Sequence, residues 1–265
     1  MRLWKLGVLA IGSLAVAGSN ASAGDLAAPP WPGTPLPNWN GFYAGLNAGA
    51  GWNDDPVHFI NGDPADFGPA ILAGAVPSPL TPGARGFVGG GQVGYNLQSG
   101  PVVYGIETDF QYADVNGTST ALKTKAGFPT LVLTANNKLD WVGTLRPRAG
   151  ITFGPALLVY VTGGLAYGQA ESSASTTIIG PNGTTCGTSP LCSIGSASVT
   201  RAGWTAGFGA EYALSHSWSV KLEYLFYDLG HLTYNMPSTL TPTAGMQGSV
   251  PLQENLARAA FNYKF

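Results

Sequence analysis

The stretch RAGWTAGFGAEYA, residues 201–213, alternates without a break. Ala202, Trp204, Ala206, Phe208, Ala210 and Tyr212 share one parity, and Arg201, Gly203, Thr205, Gly207, Gly209 and Glu211 share the other. Successive side chains of a β-strand point to opposite faces, so this period of two describes a strand with one apolar face and one polar or nearly bare face. The pattern recurs along the chain. SWSVKLEYLFYD (217–228) opposes Trp218, Val220, Leu222, Tyr224 and Phe226 to Lys221, Glu223 and Tyr227. LDWVGTLRPRAGITF (139–153) opposes Trp141, Leu145, Ala149, Ile151 and Phe153 to Asp140, Thr144, Arg146, Arg148 and Thr152. YGIETDFQY (104–112) sets Tyr104, Ile106, Phe110 and Tyr112 against Glu107, Asp109 and Gln111, and the terminal ARAAFNYKF sets Ala257, Phe261, Tyr263 and Phe265 against Arg258, Asn262 and Lys264.

With the glycine-rich GFYAGLNAGAGW and LVYVTGGLAYG, the count is eight strands, near 40–52, 86–98, 102–114, 139–153, 157–171, 199–213, 217–228 and 255–265. Three connections are tight, at Ser99-Gly100-Pro101, Gly154-Pro155-Ala156 and around Ser215. Four are long, on the order of 24 to 32 residues, which is rare inside compact soluble domains. Short turns at one end and long loops at the other are the pattern of outer-membrane barrels, with the short turns in the periplasm.

Composition decides which way the faces point. Only 10% of the 265 residues are charged while 45% are hydrophobic, against roughly 25% charged in an ordinary soluble domain. A barrel with its charges outward would show water little but glycine and a few ions. With the charges inward, Glu107, Asp109, Arg146, Arg148, Arg201, Glu211, Lys221, Glu223, Arg258 and Lys264 converge on the lumen, where both signs occur on neighbouring strands and can pair. Trp204 and Tyr212, like Trp218 and Phe226, are eight residues apart, about 20 Å along the membrane normal at a tilt near 40°. Together with Trp141 and Phe153 they are expected to form two aromatic girdles. Backbone groups in hydrocarbon must all be paired within the protein, so the sheet has to close. The expected fold is all-β, a closed eight-stranded antiparallel up-and-down transmembrane β-barrel with short periplasmic turns and long extracellular loops.

Residues 1–23 read as an export signal: Arg2 and Lys5 precede an apolar run from Leu6 to Ala17, and Ala21-Ser22-Ala23 offers a small-x-small cleavage site. A membrane anchor is the rival reading, but the run is short of the roughly 20 residues a span needs. Residues 24–38, with five prolines, read as an extended periplasmic lead-in, leaving 39–265 for the barrel. In an exported chain, Cys186 and Cys192 are expected to bridge within a loop; two thiols without a nearby histidine do not fill a metal shell. Gly89, Gly91 and Gly94 mimic a dinucleotide loop, but no helix follows Gly94, so the phosphate would lack its helix N-terminus. On a strand, Gly90 and Gly94 make room in a narrow lumen, while Gly89 and Gly91 relieve a curved wall. A net charge of -2 without a basic stripe argues against nucleic acid as a partner.

Several segments resemble the Gram-negative outer-membrane immunogenic proteins, the porin-labelled family that shares the OmpA-like eight-stranded transmembrane barrel. They are Ala23-Gly24-Asp25-Leu26, WNGFYAGLNAGAGW (39–52), VGYNLQSGPVVYGIETDFQYADV (93–115), WVGTLRPRAGITF (141–153), LLVYVTGGLAYG (157–168), WSVKLEYLFYDLG (218–230) and the terminal FNYKF. The resemblance implies insertion into the outer membrane by the barrel assembly machinery, with Phe261, Tyr263 and Phe265 as the C-terminal assembly signal. It also implies a structural, surface-exposed role, antigenic and supporting envelope integrity, with no cofactor. OmpA-type proteins with a peptidoglycan-binding domain continue past the barrel, whereas this sequence stops at Phe265.

An eight-stranded lumen is just wide enough for side chains to fill, whereas metabolite channels take about 16 strands. An ion-pair-plugged lumen is therefore expected, with a small-solute diffusion pore as the alternative. A lipid-modifying or protease-type barrel enzyme would need a histidine, a nucleophile and an acid gathered at the outer rim. Only His58 and His231 lie there, His216 sits in a periplasmic turn, and no Ser or acid alternates beside His231, so no catalytic residues are assigned. Haem or metal capture by His58 and His231 is the remaining minor reading. Asn116-Gly117 and Asn182-Gly183 read as hairpin turns above the membrane. The first loop carries Asp54, Asp55, Asp63 and Asp66, the second Lys123, Lys125 and Lys138. Such loops suit contact with lipopolysaccharide, phage or host molecules by a monomeric barrel.

Overall fold

The computed structural model describes residues 38–265 except Asn61, Pro181, Asn182, Thr185, Gly187 and Thr188. The expected signal peptide, and the lead-in up to residue 37, lie outside the described residues. Eight long strands make the body: β1 (Gly41–Trp52), β2 (Arg85–Ser99), β3 (Val102–Lys123), β4 (Thr130–Phe153), β5 (Leu157–Gly180), β6 (Ser193–Ala213), β7 (Trp218–Pro237) and β8 (Gly245–Lys264). Each pairs antiparallel with its sequence neighbour. β1 also pairs with β8 from Tyr43↔Lys264 to Trp52↔Asn255, which closes the sheet into a ring.

The two faces of the wall settle its orientation. Trp204, Phe208 and Leu222 are 51%, 61% and 67% exposed on the outside, while Arg146 and Glu107 are 0% and 2% exposed in the lumen. Phe42, Leu46, Phe110, Ile151, Val161 and Phe261 continue the exposed apolar belt around the ring. Exposed apolar area of this extent is the signature of a lipid-facing surface. Because the ring is closed, the belt offers lipid no free sheet edge.

At the loop end the structure departs from the sequence reading. Of the four expected long loops, only residues 53–84 have that length; the other connections span 124–129, 181–192 and 238–244, because the strands run on beyond the apolar belt. Asn116-Gly117 is not a turn: Asn116 pairs with Lys138 and with Arg85, and Gly117 pairs with Asn137, all inside the sheet. Lys123 and Lys138 likewise lie on strands, and Lys125 on the short connection. Asn182 lies outside the described residues, and Gly183–Thr184 forms a short strand paired with the end of β5.

The cause is an inversion of amphipathicity. In the belt the lumen side is polar; above it, the inward residues are mostly apolar, with Leu131, Leu133 and Ala135 on β4 and Ala174 and Ile178 on β5 buried among the hydrogen-bonded Asn137, Ser172 and Thr176. Two irregularities complete the switch. On β4 the register shifts between Leu139 and Trp141, so odd residues point inward up to Leu139 and even ones from Val142 to Arg148. On β7 the shift lies beside Gly230, whose φ of +84° suits a residue without Cβ. One apolar parity carried from end to end therefore misses the extension.

The connection 53–84 folds back as a cap. Its strand His58–Ile60 pairs with β8, and its helix Phe67–Leu72 buries Phe67 and Ala70. Val57, Phe59, Phe67, Val76 and Leu80 join Leu131, Leu133, Met236, Met246 and Val250 in one apolar core. β1 and β2 end lower than their neighbours, and the cap completes the wall above them. Asp63 fastens it: its carboxylate accepts the N–H groups of Ala65, Asp66, Phe67 and Gly245.

Candidate functional site in the barrel lumen

The lumen is filled in layers, and the charged layer lies within the apolar belt. Arg146 and Arg148 on β4 project inward because alternation puts them on the lumen face, two residues apart. From β3 come Glu107 and Asp109, from β6 Glu211, from β7 Lys221 and Glu223, and from β8 Arg258; all eight are buried. Arg146 Nη2 donates to Glu107 Oε1 at 2.8 Å, Asp109 Oδ2 at 2.9 Å and Glu223 Oε2 at 3.3 Å. Arg258 donates to Asp109 and Glu223, each at 2.8 Å. Lys221 Nζ contacts both oxygens of Glu107 at 2.8 Å, and Arg148 Nη1 donates to Glu211 at 3.0 Å.

Four cations thus face four carboxylates. Burying ions is costly, and the arrangement is tolerable only because each charge has at least one opposite partner, most have two or more, and Glu211, paired with Arg148, also accepts hydrogen bonds from Ser219 and Asn262. Removing one member leaves an uncompensated buried charge, at about 3–5 kcal/mol. The network links β3, β4, β6, β7 and β8 across the lumen.

Two tyrosines that the sequence reading did not single out complete this layer. Tyr43 and Tyr160 lie on the inward parity between apolar outward neighbours, the only signal they give. Tyr43 donates to Glu107 at 2.6 Å and Tyr160 to Glu223 at 2.8 Å. Their rings lie 4.8 Å and 5.0 Å from the Arg148 guanidinium, a cation–π contact with each. They fit because the strand beside each is bare: an added Cβ at Gly94 would sit 2.3 Å from the Tyr43 hydroxyl, and at Gly209 2.6 Å from that of Tyr160. Beside β1, a chain of amides fills the remaining space, from Asn47 to Gln92 to Asn262 to Glu211.

Above the ions, Val88, Ala113, Val115, Leu225, Tyr227 and Leu256 form an apolar layer, and the cap core lies above that. Two of the ten expected lumen charges stand apart. Arg201 is on the inward parity of β6 but exposed, and Lys264 is half-buried at the turn end, its ammonium donating to the Asn38 carbonyl.

Outside, Trp204 meets Phe226 at 5.4 Å, and Trp141 stacks on Phe110 at 5.5 Å with its Nε1–H on Gln169. Trp218 stacks on Phe261 at 4.7 Å and meets Tyr263 at 4.8 Å, with Phe265 against Tyr263. Tyr212 and Phe153 are exposed near the turns. Cys186 and Cys192 are bonded, their Cα atoms 5.5 Å apart. His58 and His231 flank β8 on opposite sides, opposite Ser249 and Pro251, so their backbones are on the order of 12 Å apart. Among the described residues no three His, Cys, Asp or Glu gather as a metal-binding group.

Residues 11–265 match the family described as the outer membrane protein beta-barrel domain. The chain is 40% identical over 194 residues to the 31 kDa outer-membrane immunogenic protein of Brucella melitensis biotype 1, covering 73% of this chain and 72% of that protein. It is 31% identical over 151 residues to the 22 kDa outer membrane protein of Rhizobium leguminosarum bv. viciae, 56% of each. In architecture it is similar to OprG from Pseudomonas aeruginosa, with a TM-score of 0.51 at 13% identity, covering 86% of this chain and 98% of that one. Lipid-facing wall, ion-filled lumen and sequence kinship agree, and the chain belongs to the outer-membrane β-barrel protein family.

Proposed function

We propose that this protein acts as a sealed wall element and surface scaffold of the outer membrane, not as a channel and not as an enzyme. The carrying observation is the balanced network: four cations and four carboxylates, all buried, occupy the lumen, and the capped apolar core closes the mouth above them. Its relatives named immunogenic support presentation of the loop end to the exterior. The aromatics at the two ends of the belt are read as interfacial anchors against glycolipid and phospholipid. Phe261, Tyr263 and Phe265, outward on the last strand, are read as the feature the assembly machinery recognises.

Planar-bilayer recording of the refolded protein tests the seal. No stable conductance steps are expected from the wild type, and none from Arg201→Ala, whose side chain lies outside the network. Stable nanosiemens steps from the wild type would establish the diffusion pore instead.

A further inference from the structure

The ladder between β4 and β5 is interrupted inside the apolar belt. Its register runs through Leu145↔Leu165 and resumes at Arg148↔Thr162, so Pro147 stands opposite Gly163 without pairing. Proline has no N–H, and in the middle of a sheet it removes a ladder hydrogen bond. The neighbours show which bond is lost. A Cβ on Gly164 would run into the Leu145 carbonyl oxygen, so that carbonyl faces β5. Residues two apart on a strand direct their backbone groups to the same side, so the nitrogen and carbonyl of Pro147 face β5 as well. Thr162 Oγ1 donates to the Pro147 carbonyl at 2.9 Å. The Gly163 carbonyl, which would accept from residue 147, has no N–H across from it.

This gap lies on the floor of a groove in the outer wall, about 600 Å³ in volume and open on the lipid side. Tyr104 and Ile106 on β3 and Val161 on β5 are its exposed walls, and Pro147, Ala149 and Gly163 are its low floor. Leu145 and Leu165 beside the gap are exposed too, which sets the floor within the belt. Hydrocarbon supplies no water, and a backbone carbonyl without a donor is costly there. The wall therefore has room for an apolar body and lacks a single donor. We propose that the groove binds an apolar molecule carrying one hydroxyl, dissolved in the membrane, with the hydroxyl donating to the Gly163 carbonyl and the hydrocarbon body between Tyr104, Ile106 and Val161. A plain acyl chain would fill the space and leave the carbonyl unmet.

The test compares 4-tert-butylphenol with tert-butylbenzene, which share a body and differ by the hydroxyl. The refolded, ¹³C,¹⁵N-labelled protein in phospholipid nanodiscs is titrated with each, and the Gly163 carbonyl is read through the amide of Gly164. The phenol is expected to move that carbonyl saturably downfield, with a Kd at least about tenfold below that of the hydrocarbon. Pro147→Ala restores an N–H opposite Gly163 and should bring the phenol to the level of tert-butylbenzene. Ala149→Leu, an apolar change at a lipid-facing position, fills the floor and should weaken the phenol several-fold, an independent reading if Pro147→Ala does not refold. Equal affinity for the two probes, no saturable movement of the Gly163 carbonyl, or phenol binding unchanged in these variants overturns the proposal.

Discussion

Gly94 and Gly91 stand on the same strand, and the lumen treats them differently. An added methyl at Gly94 meets the Tyr43 ring, 2.3 Å from the hydroxyl and 2.4 Å from Cζ, whereas at Gly91 the nearest atom is a carbonyl oxygen 3.7 Å away. Gly94→Ala therefore has to displace Tyr43 from Glu107 and Arg148, at about 1–3 kcal/mol for overpacking alone. Gly91→Ala should stay within about 0.5 kcal/mol of wild type. Urea unfolding of the refolded variants separates the two, and an equal loss at both positions would contradict the role given to Tyr43. Much of this was legible beforehand: alternation placed Gly94 inward and assigned it to making room. The occupant was not legible, because Tyr43 is one polar-tipped aromatic among many, and only a register between strands brings it over Gly94. Register also explains Arg201 and Lys264, which share the parity of the buried charges but lie at heights where the network has no partners.

Among the eight long strands, β6 and β7 have the least complete seam. Their ladder runs from Ala213↔Ser219 up to Trp204↔Asp228, and beyond it, among the described residues, the isolated bridge Ser193↔Ser238 and the hydrogen bond from the Thr239 N–H to the Cys192 carbonyl join the two sides. On its other side β6 stays paired with β5 up to Ser193↔Thr176, and β7 with β8 up to Pro237↔Gly245. The amides of residues 196–202 that point toward β7 consequently lack the protection of those that point toward β5. Hydrogen exchange should show the first set exchanging at least about tenfold faster than the second; uniform protection along β6 would mean the seam is closed in solution. The belt portion of each strand could be read from sequence because lipid outside and ions inside give a strong contrast of parity. Above the belt, serine and threonine face water and small apolar residues face the cap, so the contrast both weakens and reverses. There, 115–138 looks like a loop although it is two strands and a short turn.

At the scale of the whole molecule, the cap is held to the ring by apolar packing and by Asp63. Partial desolvation would raise the pKa of this carboxyl, but the N–H groups of Asp66, Phe67, Gly245 and Ala65 outweigh it and hold the value below normal. A depressed folded pKa stabilises above the ordinary carboxylate value near 4 and is lost as pH falls through the folded value. Protease cleavage within 53–84 should therefore accelerate as pH drops below about 4, and Asp63→Asn should remove that acid dependence. Unchanged acid sensitivity in the variant would shift the tie to the packing alone. Of this arrangement the sequence shows only a long connection with four aspartates, since the apolar residues of the cap follow no period that a wall or helix would impose. The cap's inward packing also bears on immune recognition. Val57, Phe59, Phe67 and Leu80 are turned into the core, so antibodies raised against a free peptide from this segment would be selected on side chains the intact protein hides. The outward hydroxyl rows, such as Thr118 and Thr120 on β3 and Ser196, Ser198 and Thr200 on β6, are exposed, and epitopes there exist only when the strands are assembled side by side, which makes the folded barrel rather than its fragments the immunogen of choice.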